Sequence, residues 1–312
     1  MKLILILFAF FSVLYAEIRS VDITPRFKSD QYSGIKILDQ KYLSYKQIGG
    51  YGFSELSDLT YDPKEKKLFM ISDEGRLFTF HAMFSDKIDV LKPISATLIT
   101  KENGKKFKKW RRDSEGICLG AKGGLLISFE GKPRLGLFRE DGQRIKTYTL
   151  PKPLRNAENY RSQNKSLEAL ARHPWYGALM VAEWPLKKDH KKYQTIYSLS
   201  GKQWHFTAEP EARSSTTAIE VMDDGNILVL ERSFTDYLDP FVITLKKVYL
   251  EGCTQNSMCK SKVLVKMNSH KGWDVDNFEG LAHVGNNRFV MISDDNDNFF
   301  QRTLLIYFEV TE

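Results

Sequence analysis

The chain has 312 residues, of which 42% are hydrophobic and 27% charged, and a formal net charge of +7. That is the composition of an ordinary globular protein, and it excludes a disordered or fibrous chain. The positive excess is mild, so no nucleic-acid partner is expected.

In chain order, Lys2 is followed by an uncharged apolar run from Leu3 to Ala16. A short positive start, an apolar stretch and a small residue before Glu17 predict a secretory signal peptide over 1–16. The run is too short for a membrane span, which takes about 20 apolar residues. Cleavage would leave one domain, Glu17–Glu312, periplasmic or secreted and without stable membrane insertion; a monomer is expected. Cys253 and Cys259 flank a polar loop and predict a disulfide in an oxidising compartment. Cys118, in Gly116-Ile-Cys-Leu119, reads as a buried thiol, and no zinc-ligand spacing is present.

One plan recurs along the chain. Leu56-Ser-Asp-Leu-Thr-Tyr61 is followed by Leu68-Phe-Met-Ile-Ser-Asp-Glu74, and Ser114-Glu-Gly-Ile-Cys118 by Leu125-Leu-Ile-Ser-Phe-Glu130. Leu167-Glu-Ala-Leu-Ala171 precedes Ala178-Leu-Met-Val-Ala-Glu183, and Thr217-Ala-Ile-Glu-Val221 precedes Asn226-Ile-Leu-Val-Leu-Glu231. The last pair is Phe278-Glu-Gly-Leu-Ala282 with Arg288-Phe-Val-Met-Ile-Ser-Asp-Asp295. Turn residues such as Asp62-Pro63, Gly123-Gly124 and Asp224-Gly225 separate the two runs, and a third run follows in every unit. The runs are short and rich in β-branched and aromatic residues, which favours strands. Asn156–Arg172 has a helical look, but its place in the repeat makes Leu167–Ala171 a strand.

Repeats of three or four strands at periods of about 50 to 60 residues predict an all-β fold, a single β-propeller. The motifs count to five blades, and a sheet built by the opening segment would make six. The last unit lacks a fourth strand, so Ile35–Tyr45 is expected to complete it and close the ring.

In a propeller the start of each innermost strand and the end of the second strand share one face, here called the top. Glu115, Glu168 and Glu279 fall at strand-one starts, with Ser57 and Thr217 at the equivalent points. Glu74, Glu130, Glu183, Glu231 and Asp295 fall at strand-two ends, next to Asp294 in Asp294-Asp-Asn-Asp-Asn298. So many carboxylates on one channel repel unless a cation or basic side chains neutralise them. Lys101–Arg112 and Lys187–Lys192 also belong to the top, and Arg76, Arg134, Arg232 and Arg302 follow the strand-two acids. The acidic loop lacks the glycine and distal glutamate of an EF-hand. No G-x-S-x-G, H-E-x-x-H or P-loop pattern occurs, and the histidines show no ligand spacing.

The series Leu56-Ser-Asp-Leu, Ile71-Ser-Asp-Glu, Asp113-Ser-Glu-Gly-Ile, Ser166-Leu-Glu-Ala-Leu, Leu230-Glu-Arg-Ser-Phe, Asn277-Phe-Glu-Gly-Leu-Ala and Ile292-Ser-Asp-Asp-Asn resembles the phytase-like domain family, described as having esterase-like activity of phytase. The resemblance runs from about Ile48 to Phe308 and implies a secreted propeller with phosphoester-hydrolase activity. The chain departs from the pattern at Thr217-Ala-Ile, where the strand-one acid is absent.

The enzyme reading is metal-assisted hydrolysis of a small phosphorylated substrate. Calcium is the expected cofactor, held among Glu74, Glu130, Glu183, Glu231, Asp294 and Asp295. Glu115, Glu279 and Glu168 are the candidate catalytic acids and bases, and Arg111, Arg112, Arg232 and Arg76 the candidate phosphate binders. The competing reading is a propeller that binds a protein or envelope ligand without chemistry, its acids forming a structural cation site or Glu–Arg pairs. A calcium-dependent lactonase-like activity is a third.

Overall fold

The computed structural model describes residues 17–26, 31–162, 165–236, 238–253 and 257–312. The predicted signal peptide lies outside them. Among the described residues, no helix is long and apolar enough to cross a membrane.

Five antiparallel sheets form the blades, four of them four-stranded and the fifth extended to six strands by short N-terminal segments. Blade 1 comprises Leu56–Asp62, Lys67–Ser72, Arg76–Phe84 and Ile88–Leu98. Blade 2 comprises Ser114–Leu119, Leu125–Phe129, Arg134–Phe138 and Arg144–Tyr148. Leu167–His173, Gly177–Ala182, Tyr193–Ser198 and Gln203–Thr207 make blade 3. Ser215–Val221, Ile227–Ser233, Val242–Val248 and Ser261–Asn268 make blade 4. Blade 5 is composite: Asn277–Gly285, Arg288–Asp294 and Leu304–Val310 are completed by the N-terminal strand Ile35–Leu43.

That closure decides the blade count. Tyr42 pairs with Leu304 and Ile35 with Val310, while Ile18–Ser20 only adds to the outer edge of the same sheet. The opening segment therefore extends blade 5 and builds no sixth blade. The first strands of successive blades touch in ring order, and that of blade 5 touches that of blade 1.

The core is divided into five apolar clusters, one in each interface between neighbouring blades. Strand alternation makes this work, because successive side chains point to opposite faces of a blade. In blade 1, Leu68 and Met70 enter the cluster shared with blade 5, while Phe69 and Ile71 enter the cluster shared with blade 2. A strand buried on both faces reads as a continuous apolar run, which is the pattern of every second strand. Each such side chain contributes about 1.5–3 kcal/mol on burial.

Asn156–Asn159 and its surroundings form short 3-10 turns, and Leu167–His173 is a strand. Cys253 and Cys259 form a disulfide with Cα atoms 4.9 Å apart, in the connection between the third and fourth strands of blade 4. Cys118 is a buried free thiol.

Candidate functional site

The same irregularity occurs in the first strand of all five blades. Register slips by one residue after the first pair in blades 1 to 3 and after the second in blades 4 and 5, at Ser57, Glu115–Gly116, Glu168, Thr217 and Glu279. Such a bulge re-aims a side chain away from the pleat. Here it sits at the top of the channel, and Ser57, Glu115, Glu168 and Glu279 line the cavity there.

On strand two, the residue that follows the partner of the residue just before each bulge completes the ring. These residues are Asp73, Glu130, Glu183, Arg232 and Asp294, and all five line the cavity. The cavity has a volume of about 300 Å³ and is lined by eight carboxylates (Asp73, Asp113, Glu115, Glu130, Glu168, Glu183, Glu279 and Asp294) against two cations, Lys165 and Arg232.

Its floor is the ring of inner strands. Gly116 lies in the bulge of blade 2 and Gly280 follows that of blade 5; a Cβ there would lie 2.6 Å from the Glu168 carbonyl oxygen and 2.8 Å from the Asp58 Cα, respectively. Asp58 stitches three blades together, accepting from Ile117 N–H at 2.8 Å and Leu281 N–H at 3.1 Å. Ser128 Oγ accepts from Gly116 N–H at 2.8 Å and donates to the Glu168 carbonyl at 3.1 Å.

Neutralisation is lopsided. Lys165 Nζ lies 2.8 Å from Glu183 Oε1, and Arg232 reaches Glu183 Oε1 at 3.3 Å and Glu279 Oε1 at 2.8 Å. Asn277, itself bonded to Arg232, donates to Glu279 Oε1 at 3.0 Å. On the other side, Asp73, Asp113, Glu115, Glu130 and Glu168 have no ion-pair partner among the described residues. Oxygens of Asp113, Glu115 and Glu130 lie within 4.8 Å of one another, as do those of Glu130, Glu168 and Glu183. Glu130 belongs to both groups, and its Oε1 accepts from Ser166 N–H at 2.6 Å. Asp73 Oδ1 is buried with no hydrogen-bond partner.

These surroundings hold protons on the carboxyls. Burial, then repulsion from Glu168, Glu130 and Asp113, pushes Glu115 well above the usual range, and burial with Glu183 and Glu130 does the same to Glu168. Burial raises Glu130 to about 8, Asp294 to about 9 and Asp73 to about 7, with neighbouring carboxylates adding to each shift. Glu279 is also raised by burial, opposed first by Arg232.

The structure brings Glu115, Glu168, Glu279, Glu130, Glu183, Asp294 and Arg232 into the lining of one cavity. It does not place the remaining candidates in the cavity lining, and the placement of six residues is corrected. Glu74 turns outward to Arg76 and Lys109, and Arg76 is held by Glu74 and the Gly52 carbonyl. Glu231 pairs with Thr216 in the sheet and its carboxylate meets the buried Lys246 at 2.7 Å. Asp295 accepts from Glu55 N–H and Thr303 Oγ1. Arg111 lies in a 3-10 turn over the Trp110 ring, and the Arg112 Cβ packs beside Gly75. A shift of one residue along a strand moves a side chain to the other face, which is why Glu74, Glu231 and Asp295 miss the channel while Asp73, Arg232 and Asp294 reach it.

Asp73, Asp113, Lys165 and Asn277 were not singled out by the sequence as site residues. Asp73 and Asp294 occupy the same point of Ile71-Ser-Asp-Glu and Ile292-Ser-Asp-Asp, so the internal repeat carried a signal for the first. Asn277 opens the motif Asn277-Phe-Glu-Gly-Leu-Ala but was not read there as a site residue, and Lys165 was not singled out.

Among solved structures, the chain is similar to an aldose sugar dehydrogenase of Streptomyces coelicolor, solved in its PQQ-bound form, at 10% identity and a TM-score of 0.41, over 88% of this chain and 98% of that one. It is similar also to virginiamycin B lyase of Staphylococcus aureus, at 10% identity and a TM-score of 0.40, over 94% of this chain and 98% of that one. Likeness at this level carries no argument about chemistry. No curated protein matches the sequence. Residues 51–297, which hold the inner strands of all five blades and every lining residue of the cavity, match the family model described as phytase-like, esterase-like activity of phytase, and the chain belongs to that family.

Proposed function

We propose that this is an exported hydrolase of phosphate esters that works at the carboxylate cavity with a divalent cation. The carrying observation is the unneutralised side of the ring: five carboxyls of blades 1 to 3 face one cavity without an ion-pair partner among the described residues, and one of their oxygens, Asp73 Oδ1, is buried and unbonded. The donor set fits a hard cation, because the lining offers carboxylate oxygens with no histidine or cysteine. Calcium is the ion proposed, with Asp113, Glu115, Glu130, Glu168 and Glu183 as the residues that would hold it. When bound, it supplies charge neutralisation of phosphate oxygens and a more acidic water.

The chain's own residues divide the remaining work. Lys165, beside Glu183 at the cavity wall, offers its ammonium to a phosphate oxygen. Glu279 is oriented by Arg232 and Asn277 and takes the proton from the attacking water. Asp294, which lines the same cavity outside the proposed calcium set and is raised to about 9 by burial, gives a proton to the departing alcohol as the bond from phosphorus to its oxygen breaks. Water supplies the new phosphorus–oxygen bond, so the products are an alcohol and inorganic phosphate. Removal of residues 1–16 would leave the domain in the periplasm or outside the cell, where its disulfide is stable.

Phosphate release should be measured over a panel of phosphomonoesters with calcium and with chelator, in the wild type and in Glu168→Gln and Glu279→Gln. Calcium-dependent release lost in both variants supports the reading. A calcium-loaded protein that releases phosphate from no substrate sinks it and leaves the ring as a structural or ligand-binding site.

A further inference from the structure

A second, larger cavity of about 740 Å³ opens beside the first, between the top loops of blades 3 and 4. The two share a wall. Glu183 lines the carboxylate cavity and the next residue, Trp184, lines the second. Lys165 bridges them, its Nζ 2.8 Å from Glu183 Oε1 and 5.6 Å from the centre of the Trp184 ring.

The chemistry of the second cavity is the reverse of the first. Trp184, Pro185 and Pro210 give it apolar surface, and Lys191, Lys192 and Arg213 stand at its edge. None of these three cations has an ion-pair partner among the described residues. The acids in the lining are already matched: Glu209 meets Lys246 and Lys266, each at 2.7 Å, and Glu211 meets Lys266 at 2.5 Å. Uncommitted charge at this site is therefore positive.

The walls are held before any ligand arrives. Arg161 donates to the carbonyls of Pro185 at 2.8 Å, Leu186 at 3.2 Å and Asp189 at 2.6 Å, and Lys187 N–H donates to the Asn159 carbonyl at 2.8 Å. A preformed pocket loses less freedom on binding. An aromatic wall with a few placed charges suits a flat, apolar body bearing an anionic group.

We infer that this pocket binds the alcohol portion of the substrate, a planar and largely apolar group that carries a negative charge of its own, while the ester phosphate occupies the carboxylate cavity. The inference rests on the hydrolase reading for the ester, but the pocket can be tested without it. Preferred substrates are then anionic aryl phosphates, and an all-polar polyol phosphate leaves the aromatic wall unused.

The probe is 2-naphthalenesulfonate, an aromatic anion with no bond to hydrolyse, titrated by calorimetry into chelator-treated full chain. Saturable binding is expected, weakened about tenfold or more in Trp184→Ala and several-fold in Lys191→Ala/Lys192→Ala, with no displacement by methanesulfonate. Should Trp184→Ala fail to fold, the two exposed lysines carry the test. Absence of saturable binding, or equal affinity in the folded variants, overturns the pocket assignment. Phosphate release is a separate measurement: a chain that binds the probe at Trp184 but cleaves nothing keeps the pocket and loses the hydrolase reading. Where turnover is present, the ratio of kcat/KM for 2-naphthyl phosphate over methyl phosphate should fall in Trp184→Ala, and an unchanged ratio also overturns the assignment.

Discussion

Replacing Arg232 by methionine keeps much of the side chain's volume and removes the one guanidinium that lines the carboxylate ring. Its charge is held by Glu279 at 2.8 Å and Glu183 at 3.3 Å, and Glu168 and Asp294 add attraction that outweighs the burial of the guanidinium. Breaking a buried pair by removing one partner costs about 3–5 kcal/mol. The low end applies here, because the Arg232 side chain is still 17% exposed. A loss of about 3 kcal/mol in a domain of this size lowers Tm by about 6 °C. The loss must depend on pH. At pH 9 Asp73 and Glu130 are ionised and Asp294 partly so, which adds to the need for the missing charge; at pH 5.5 these three, which titrate near 7, 8 and 9, are protonated. Calorimetric unfolding of metal-free wild type, Arg232→Met, Glu279→Gln and the double variant at both pH values measures this. The Tm difference should be large at pH 9, small at pH 5.5, and partly recovered in the double variant. A loss that is the same at both pH values, or no loss at all, refutes the reading of Arg232 as the ring's counter-charge.

Other expectations concern the ring and its supports. The raised carboxyls make the folded protein bind more protons than the unfolded chain between about pH 4 and pH 9, so metal-free stability should fall as pH rises through that window, seen as a falling Tm. Calcium should flatten that slope. Asp58→Ala orphans the Ile117 and Leu281 N–H groups and should destabilise by about 3 kcal/mol in urea unfolding. Reduction of Cys253–Cys259, which closes a loop of sequence separation 6, should cost about 2 kcal/mol, read as a lower Tm in dithiothreitol.

Much of this architecture was legible in the sequence, for a physical reason. A propeller's second strands are buried on both faces, so each appears as an unbroken apolar run at the same place in a repeat. The strand-one acids were legible too, since Glu115, Glu168 and Glu279 sit at fixed offsets within that repeat. The strand-two residues were harder, because two neighbouring polar residues compete for one inward position and only the pairing register separates them. Ser72 opposite Leu56 sends Asp73 inward and Glu74 out; Glu231 opposite Thr216 makes Arg232 the fifth member of the ring. Aligning blade 4 by residue type therefore selected the acid and missed the position. Blade number was open for a different reason: only the pairing of Ile35–Leu43 with Leu304–Val310 shows that the opening segment completes blade 5.

The central claim is that the unneutralised side of the ring is a seat for a divalent cation, and Glu130, common to both carboxylate groups, is its most sensitive point. Calorimetric titration of calcium into chelator-treated protein at pH 8 tests it directly, comparing wild type with Glu130→Gln. The account predicts saturable binding to the wild type and its loss, or a fall of at least about tenfold in affinity, in the variant. Absence of binding to the wild type, or equal affinity in the two proteins, would contradict it.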